Sequence, residues 1–439
     1  MQATLRAVIM TARTNCARSS AHPDAMLSFT SRSTICTALL LAASVLLPGC
    51  GSLTRNPVPP ELVSTAIVPG LPYVRSFAGQ PAPHPQADLI ESYRQESRSD
   101  FPLQADGTIR YPHLLVSGGG ANGAFGAGLL SGWTGTGQRP VFKIVTGIST
   151  GALIAPFAFI GSDQDETLKL VYTTTRSSDI FAAGSRLAML GQALFGEALA
   201  DTGPLARMIA GSVDEEFVAR VARAHRNGRR LYIGSTDLDA RRFVVWNMGL
   251  IALADHPQKV QLFRQVMLAS ASIPVVFPPV FFDVEVNGKT YDEMHVDGAV
   301  IANVFFTGGV ISPRRARREA GTPPGRDDIY AIHNGQLVPT YTTPISRNVG
   351  AISARVLDTA ARSAVIGDLF RVYTITRREE GRFNWVTIPN ELRLGGEELF
   401  DPVAMTSLYE VGLRMGKDGS GWRVRLPGEQ ETLSVPEEP

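Results

Sequence analysis

Val141-Phe142-Lys143-Ile144-Val145-Thr146-Gly147-Ile148-Ser149-Thr150-Gly151-Ala152-Leu153-Ile154 carries an apolar run into a glycine-flanked serine and out into a second apolar run. Val141 to Val145 reads as a strand, and Thr150 to Ile160 as a buried helix. Between them, Gly147–Gly151 is the one G-x-S-x-G of the chain. A sharp strand-to-helix turn needs small residues beside the serine, and it lifts the hydroxyl off the sheet beside the positive end of the helix. Ser149 is therefore the candidate nucleophile of an acyl-ester hydrolase. So short a pattern arises readily by chance, so its weight comes from the strand and helix that frame it.

Upstream, Tyr111 to Val116 is another apolar run, ending in Ser117-Gly118-Gly119-Gly120-Ala121-Asn122-Gly123. Ala121 to Trp133 then reads as a buried helix. Consecutive amides at a helix start form an anion-binding concavity, and glycine lets the backbone approach a ligand closely. Three uses compete. One is an oxyanion hole. Another is a dinucleotide pyrophosphate site, since Gly118, Gly120 and Gly123 spell G-x-G-x-x-G. The third is tight helix packing alone. A dinucleotide site expects an acidic residue about 20 positions on. Neither Asp nor Glu occurs between Ala121 and Ser162, which argues against the nucleotide.

Leu231 to Ser235 reads as a further strand. Val260 to Ala271 has helical spacing and precedes a proline-rich turn, Pro274 to Pro279. Alternating strands and helices imply an α/β protein with a largely parallel sheet. Organisation outward from this centre follows composition. Residues 51–108 read as a tether, with eight prolines from Pro57 to Pro85. Residues 109–310 read as the catalytic domain, 311–425 as a C-terminal elaboration packed on the core, and 426–439 as an acidic tail. The basic cluster Arg314, Arg315, Arg317 and Arg318 reads as a solvated loop, or as a contact to anionic lipid headgroups.

The chain has 439 residues, 44% of them hydrophobic, enough for a large core. Its 42 basic and 41 acidic side chains leave a net charge of +1, so no global field favours nucleic acid as a partner. Near the N-terminus, Ser33 to Thr54 carries no charge, and its apolar middle, Ile35 to Leu47, is too short to span a bilayer. Arg32 before it and Leu47-Pro48-Gly49-Cys50 after it resemble a bacterial lipoprotein signal over residues 1–50, with Met26 an alternative start and Cys50 the lipid acceptor. Cys16, Cys36 and Cys50 are the three cysteines, so a chain starting at Cys50 forms no internal disulfide. Gly51 in the next position favours the outer membrane, by analogy with enteric sorting. The expected location is thus the bacterial envelope.

A serine nucleophile needs a base. His295 and His333 lie near strand ends, whereas His84 sits in the proline-rich stretch, His225 in an Arg-rich one, and His113 before the glycine turn. Asp297, in His295-Val296-Asp297-Gly298-Ala299, reads as a residue at the mouth of a strand, or as an ordinary Asp-Gly turn. Asp237 and Asp239 are weaker rivals. No His/Cys/Asp set stands at metal-ligand spacing, so neither metal nor cofactor is expected.

Four ordered stretches resemble the patatin-like phospholipases: Gly118–Gly123, Gly147–Gly151, Ala269–Pro274 with Phe277-Pro278-Pro279, and Asp297-Gly298-Ala299. The resemblance spans roughly residues 111–305. It implies a three-layer α/β/α fold with a mostly parallel central sheet, and a Ser–Asp dyad that works without histidine. Ser149 would be the nucleophile and Asp297 the general base. Backbone amides of Gly118, Gly119, Gly120 and Ala121 would form the oxyanion hole. The substrate it implies is a lipid ester such as a phospholipid. Asn122 stands where the family usually carries a basic residue. The rival reading is a catalytically silent envelope lipoprotein that uses the same fold to bind a partner.

Overall fold

The computed structural model describes residues 55–181, 201–306, 311–341 and 344–427. Those from Asn56 onward belong to one unit. Nine strands are described: β1 (Arg75–Phe77), β2 (Ile109–Val116), β3 (Ile144–Ile148), β4 (Arg230–Asp237), β5 (Arg242–Asn247), β6 (Val280–Val286), β7 (Lys289–Asp297), β8 (Gly325–His333) and β9 (Arg382–Thr387). The helices that matter for the site are α1 (Pro83–Arg94), α2 (Gly123–Gly135), α3 (Thr150–Ile160), α4 (Glu215–Arg226), α5 (Lys259–Ser270), α6 (Pro313–Ala320), α7 (Val349–Arg378) and α8 (Pro402–Asp418).

The sheet runs β1-β5-β4-β3-β2-β8-β9, with β7 also pairing β4 and β6 pairing β7. Its middle, from β4 to β9, is parallel, while β1, β5, β6 and β7 join antiparallel. Every residue of β3 and β4 is buried, as expected of strands covered on both faces. One cover holds α2, α3, α4, α5 and α8 around residues such as Phe125, Ile154, Val221, Phe263 and Tyr409. The other holds α1, α6 and α7 around Leu89, Ala316 and Leu369. The architecture is thus a mixed α/β fold of three layers with a mostly parallel central sheet.

Residues 56–108 are not a tether. β1 pairs with β5 at the sheet edge, Pro57 bridges to Asp292, and Leu89, Tyr93 and Phe101 are buried. The prolines misled because proline suits places that need no amide. Pro83, for example, opens α1, where the amide would lack an intrahelical partner anyway. Nor does a boundary fall at 310. β8 lies beside β2 throughout its length, and β9 beside β8, so the expected elaboration supplies two strands of the central sheet. The stretch 1–50 expected to be a lipoprotein signal, including Cys50, and the tail beyond 427 lie outside the described residues.

The basic cluster at 314–318 is a helix rather than a loop. Ser312 caps α6 by accepting the Arg315 amide, and Gly321 closes it in the left-handed region. Arg317 is buried, its Nη1 donating to both carboxylate oxygens of Asp327, Arg315 pairs with Glu319, and Arg314 with Glu380.

Two helices meet through their backbones. Gly128 and Gly132 of α2 face Gly412 and Gly416 of α8. A Cβ on Gly128 would collide with the Tyr409 carbonyl, and one on Gly132 with that of Leu413. Reciprocally, Gly412 faces the Phe125 carbonyl and Gly416 that of Leu129. Glycine four residues apart on each helix strips the contact face to backbone, so the axes approach closely. α2 begins directly behind the glycine turn, so this packing sets where that turn lies.

Candidate active site

Ser149 sits between β3 and α3 with φ 56° and ψ −127°. A non-glycine residue at positive φ is costly, of the order of 1–3 kcal/mol, and persists only where its surroundings hold it. Those surroundings are explicit. Gly147 and Gly151 have no room for a Cβ, the first against the Gly151 backbone and the second against the Val116 carbonyl. The Ser149 amide donates to Ser270 Oγ at 3.0 Å, and Ser270 Oγ donates to the Gly234 carbonyl at 2.6 Å.

Asp297 ends β7 and pairs with Ser235 of β4. Its amide donates to the Ser272 carbonyl at 2.8 Å. The segment Ser270–Ser272 thus ties the backbone of the serine turn to that of the aspartate. Asp297 is 2% exposed and Ser149 5%. Burial pushes the Asp297 carboxyl up to about 7, while hydrogen bonding from the Ser149 hydroxyl and the Ala299 amide opposes the rise. The Ala299 amide donates to Oδ1 at 2.8 Å. Oδ2 is buried and makes no well-formed hydrogen bond among the described residues. The Ser149 hydroxyl is the one side chain that opposes the rise in this carboxyl.

The glycine turn adjoins Ser149: a Cβ on Gly118 would lie 3.0 Å from Ser149 Cβ. Gly119 (φ 154°) and Gly120 (φ 56°) occupy backbone conformations that disfavour side chains. Gly118 and Gly119 amides donate to no acceptor among the described residues. Gly120 and Ala121 open a short 3₁₀ turn with Asn122, where first amides lack internal partners. Four adjacent amides are therefore available beside the serine. Asn334, which sequence reasoning missed, grips this turn. Its Nδ2 donates to the Ser117 carbonyl at 3.0 Å, its Oδ1 accepts the Gly126 amide at 3.1 Å, and its own amide donates to Ser117 Oγ at 2.8 Å. Asp368 of α7, also missed, accepts the Asn303 amide at 2.6 Å and that of Val304 at 3.3 Å, pinning the chain after Asp297. No local motif marks either residue; both act across long sequence separations.

The histidines are occupied elsewhere. His295 is buried, with Nδ1 at 2.9 Å from Ser235 Oγ and Nε2 at 3.3 Å from Glu293. Glu293 also takes two bonds from Arg75, one of them at 2.8 Å. Burial alone would raise the Glu293 carboxyl, but His295 and Arg75 hold it at about 2. His333 meets Ser117 Oγ at 3.1 Å, and burial drives its ring down to about 4. His113 pairs with Asp327 at 2.8 Å, His225 with Asp88 at 3.4 Å, and His84 stacks on Tyr73. Asp237 accepts the Ala240 amide in a turn, and Asp239 the Met294 amide.

One grouping was invisible in sequence spacing. Asp237, Glu293 and His295 bring ligand-capable atoms within 4.8 Å of one another. Arg75 already supplies a cation to Glu293, and Ser235 holds the second ring nitrogen of His295. Arg75, Glu293 and His295 form an ion-pair network, with Asp237 beside it.

Residues 114–308 match the family model described as patatin-like phospholipase. No curated protein matches the chain. Among solved structures, it is similar to VipD from Legionella pneumophila, at 11% identity and a TM-score of 0.35, covering 74% of this chain and 70% of that one. It is also similar to human GIVD cytosolic phospholipase A2, at 14% identity and a TM-score of 0.34, covering 66% and 54%. A third is ExoU of the Pseudomonas aeruginosa type III secretion system, solved with SpcU, at 13% identity and a TM-score of 0.21, covering 71% and 52%. The chain spans little more than half the length of the last two.

Proposed function

Since residues 114–308 are a patatin-like phospholipase domain, we propose that this protein is a lipid acyl hydrolase working through a Ser149–Asp297 dyad. The observation that carries the reading is the strained serine turn, whose hydroxyl acts on a carboxyl raised to about 7. A carboxylate near its ordinary pKa of about 3.9 is a poor base, and burial improves it. Ser149 Oγ attacks the ester carbonyl carbon as its proton passes to Asp297. The amides of Gly118, Gly119, Gly120 and Ala121 take the developing oxyanion, where one donor is worth about 10²–10³ in rate. Asp297 then protonates the leaving alcohol, and later takes a proton from the water that releases the acid.

A lipid substrate is supported by the apolar flanks of the dyad. Ile273 and Val275 follow Ser272, while Val300 and Ile301 follow Asp297, and all four are exposed. Cys50 would carry the lipid that anchors the chain in the bacterial envelope, on the outer membrane by the Gly51 rule. The test is labelling with a fluorophosphonate alongside hydrolysis of phospholipid vesicles. Wild type is expected to label at Ser149 and release fatty acid, and Ser149→Ala to do neither. An unlabelled, folded wild type would favour the silent binding scaffold.

A further inference from the structure

A cavity of about 930 Å³ opens at the far end of the sheet from Ser149, a size typical of ligand sites. Arg110 and Pro112, near the start of β2, line it, whereas the other end of β2 leads into the glycine turn. Trp133, in the last turns of α2, lines it too, roughly 15 Å along that helix from the turn. Nothing in the proposed hydrolysis uses this end of the molecule.

Three of the lining rings pack into one aromatic surface. Trp133 lies 4.9 Å from Tyr330 and 5.2 Å from Trp422, centroid to centroid, and Tyr330 lies 5.1 Å from Trp422. All three are half-buried. At that spacing the rings touch, so no cation fits between them. The four tryptophans of the chain divide into two pairs. Trp246 and Trp385 are buried, and their indoles donate to Ser235 Oγ at 2.8 Å and to the Arg425 carbonyl at 2.7 Å. The indoles of Trp133 and Trp422 donate to no acceptor among the described residues. The carboxylate of Asp100 and the side-chain amide of Gln138, both on the cavity wall, likewise make no hydrogen bond among the described residues. Arg110 and Lys417 match Asp100 and Asp418 around the wall, so no net charge selects an ion.

We infer that this cavity binds a neutral oligosaccharide, with one sugar ring lying on the Trp133–Tyr330–Trp422 surface and its hydroxyls meeting Asp100 and Gln138. A sugar ring has an apolar C–H face, whose partial positive charge suits the negative face of an aromatic ring. Its rim of hydroxyls donates to a carboxylate and both donates to and accepts from an amide. An alkyl chain would cover the rings and leave the polar wall unmatched. A polyproline segment would also lie on aromatic rings, but proline has no N–H to offer Asp100.

The test is a tryptophan-fluorescence titration of the full chain with chitotriose, cellotriose, maltotriose, decaproline and choline. Trp246 and Trp385 are buried elsewhere, so a change in emission reports on Trp133 and Trp422. At least one trisaccharide is expected to shift the emission saturably, and neither decaproline nor choline to do so. Gln138→Ala should weaken the sugar about fivefold, as loss of a neutral hydrogen bond would, and Asp100→Ala about tenfold or more. Both variants keep all four tryptophans, and thermal melts check that they fold. Ser149→Ala should bind the sugar like wild type, so binding can fail while the catalytic reading stands, and the reverse. No saturable shift with any of the three sugars, or sugar affinity untouched in both wall variants, would overturn the inference. Decaproline or choline binding more tightly than every sugar would overturn it as well, in favour of a peptide or a cation.

Discussion

Ser270 Oγ receives the amide hydrogen of Ser149 and passes its own to the Gly234 carbonyl, so one buried hydroxyl spans the serine turn and β4. Deleting it leaves a buried amide and a buried carbonyl unmatched, at about 1–3 kcal/mol. It also frees a backbone held at positive φ. Ser270→Ala should therefore stay folded, with a lowered melting temperature, and lose roughly tenfold or more in kcat with KM little changed. Steady-state kinetics beside a thermal melt check this; full kcat in the variant would mean that the turn holds itself.

Asp297 ties activity and stability to pH in opposite directions. In the proposed dyad the base must be ionised, so kcat/KM should rise with pH to a plateau above about 7, the value to which burial pushes this carboxyl. Stability runs the other way. Between the ordinary carboxylate range and about 7 the unfolded chain has lost this proton and the folded one has kept it. This group therefore costs stability as pH rises through that window, and the cost is constant above it. Asp297→Asn should abolish turnover yet melt higher than wild type at pH 8, with the gain shrinking towards pH 4. A deficit in the variant that deepens from pH 4 to pH 8 would show instead that the carboxyl is stabilising as an anion.

The glycine contact between α2 and α8 offers a matched pair. Gly412→Ala forces a methyl into the Phe125 carbonyl and should cost about 1–3 kcal/mol. Because α2 starts behind the glycine turn, activity should drop as well. Gly211, near the end of the helix Gly203–Ser212, has open space around it. Gly211→Ala should be neutral or stabilising by up to about 1 kcal/mol. Chemical denaturation of the two variants measures the contrast.

The parts of this protein readable in its sequence are those whose physics is local. Thr150–Ile160 is apolar after its first residue and ends at Gly161, and it forms the helix its sequence suggests. The strand before Ser149 is displaced, running Ile144–Ile148 instead of Val141–Val145, because the glycine turn is tighter than the apolar run implies. What escaped reading depends on distant partners. β1 is three residues that become a strand only against β5, and nothing in Arg75-Ser76-Phe77 announces it. Arg317 looks solvated until Asp327 is placed beside it. Asn334 has no motif, since its value lies in reaching Ser117 and Gly126, more than 200 residues earlier.

That last grip sets the terms on which the chain can be divided. The stretch matching the family model ends at 308, but the residue that shapes the glycine turn comes after it, on the end of β8. A fragment stopping there would hold Ser149 and Asp297, the proposed nucleophile and base, while lacking the neighbour of β2 and the clamp on the turn. A second fragment starting there would hold the clamp and no chemistry. Two inert halves that regain turnover only on reassociation would make ester cleavage a reporter of their proximity.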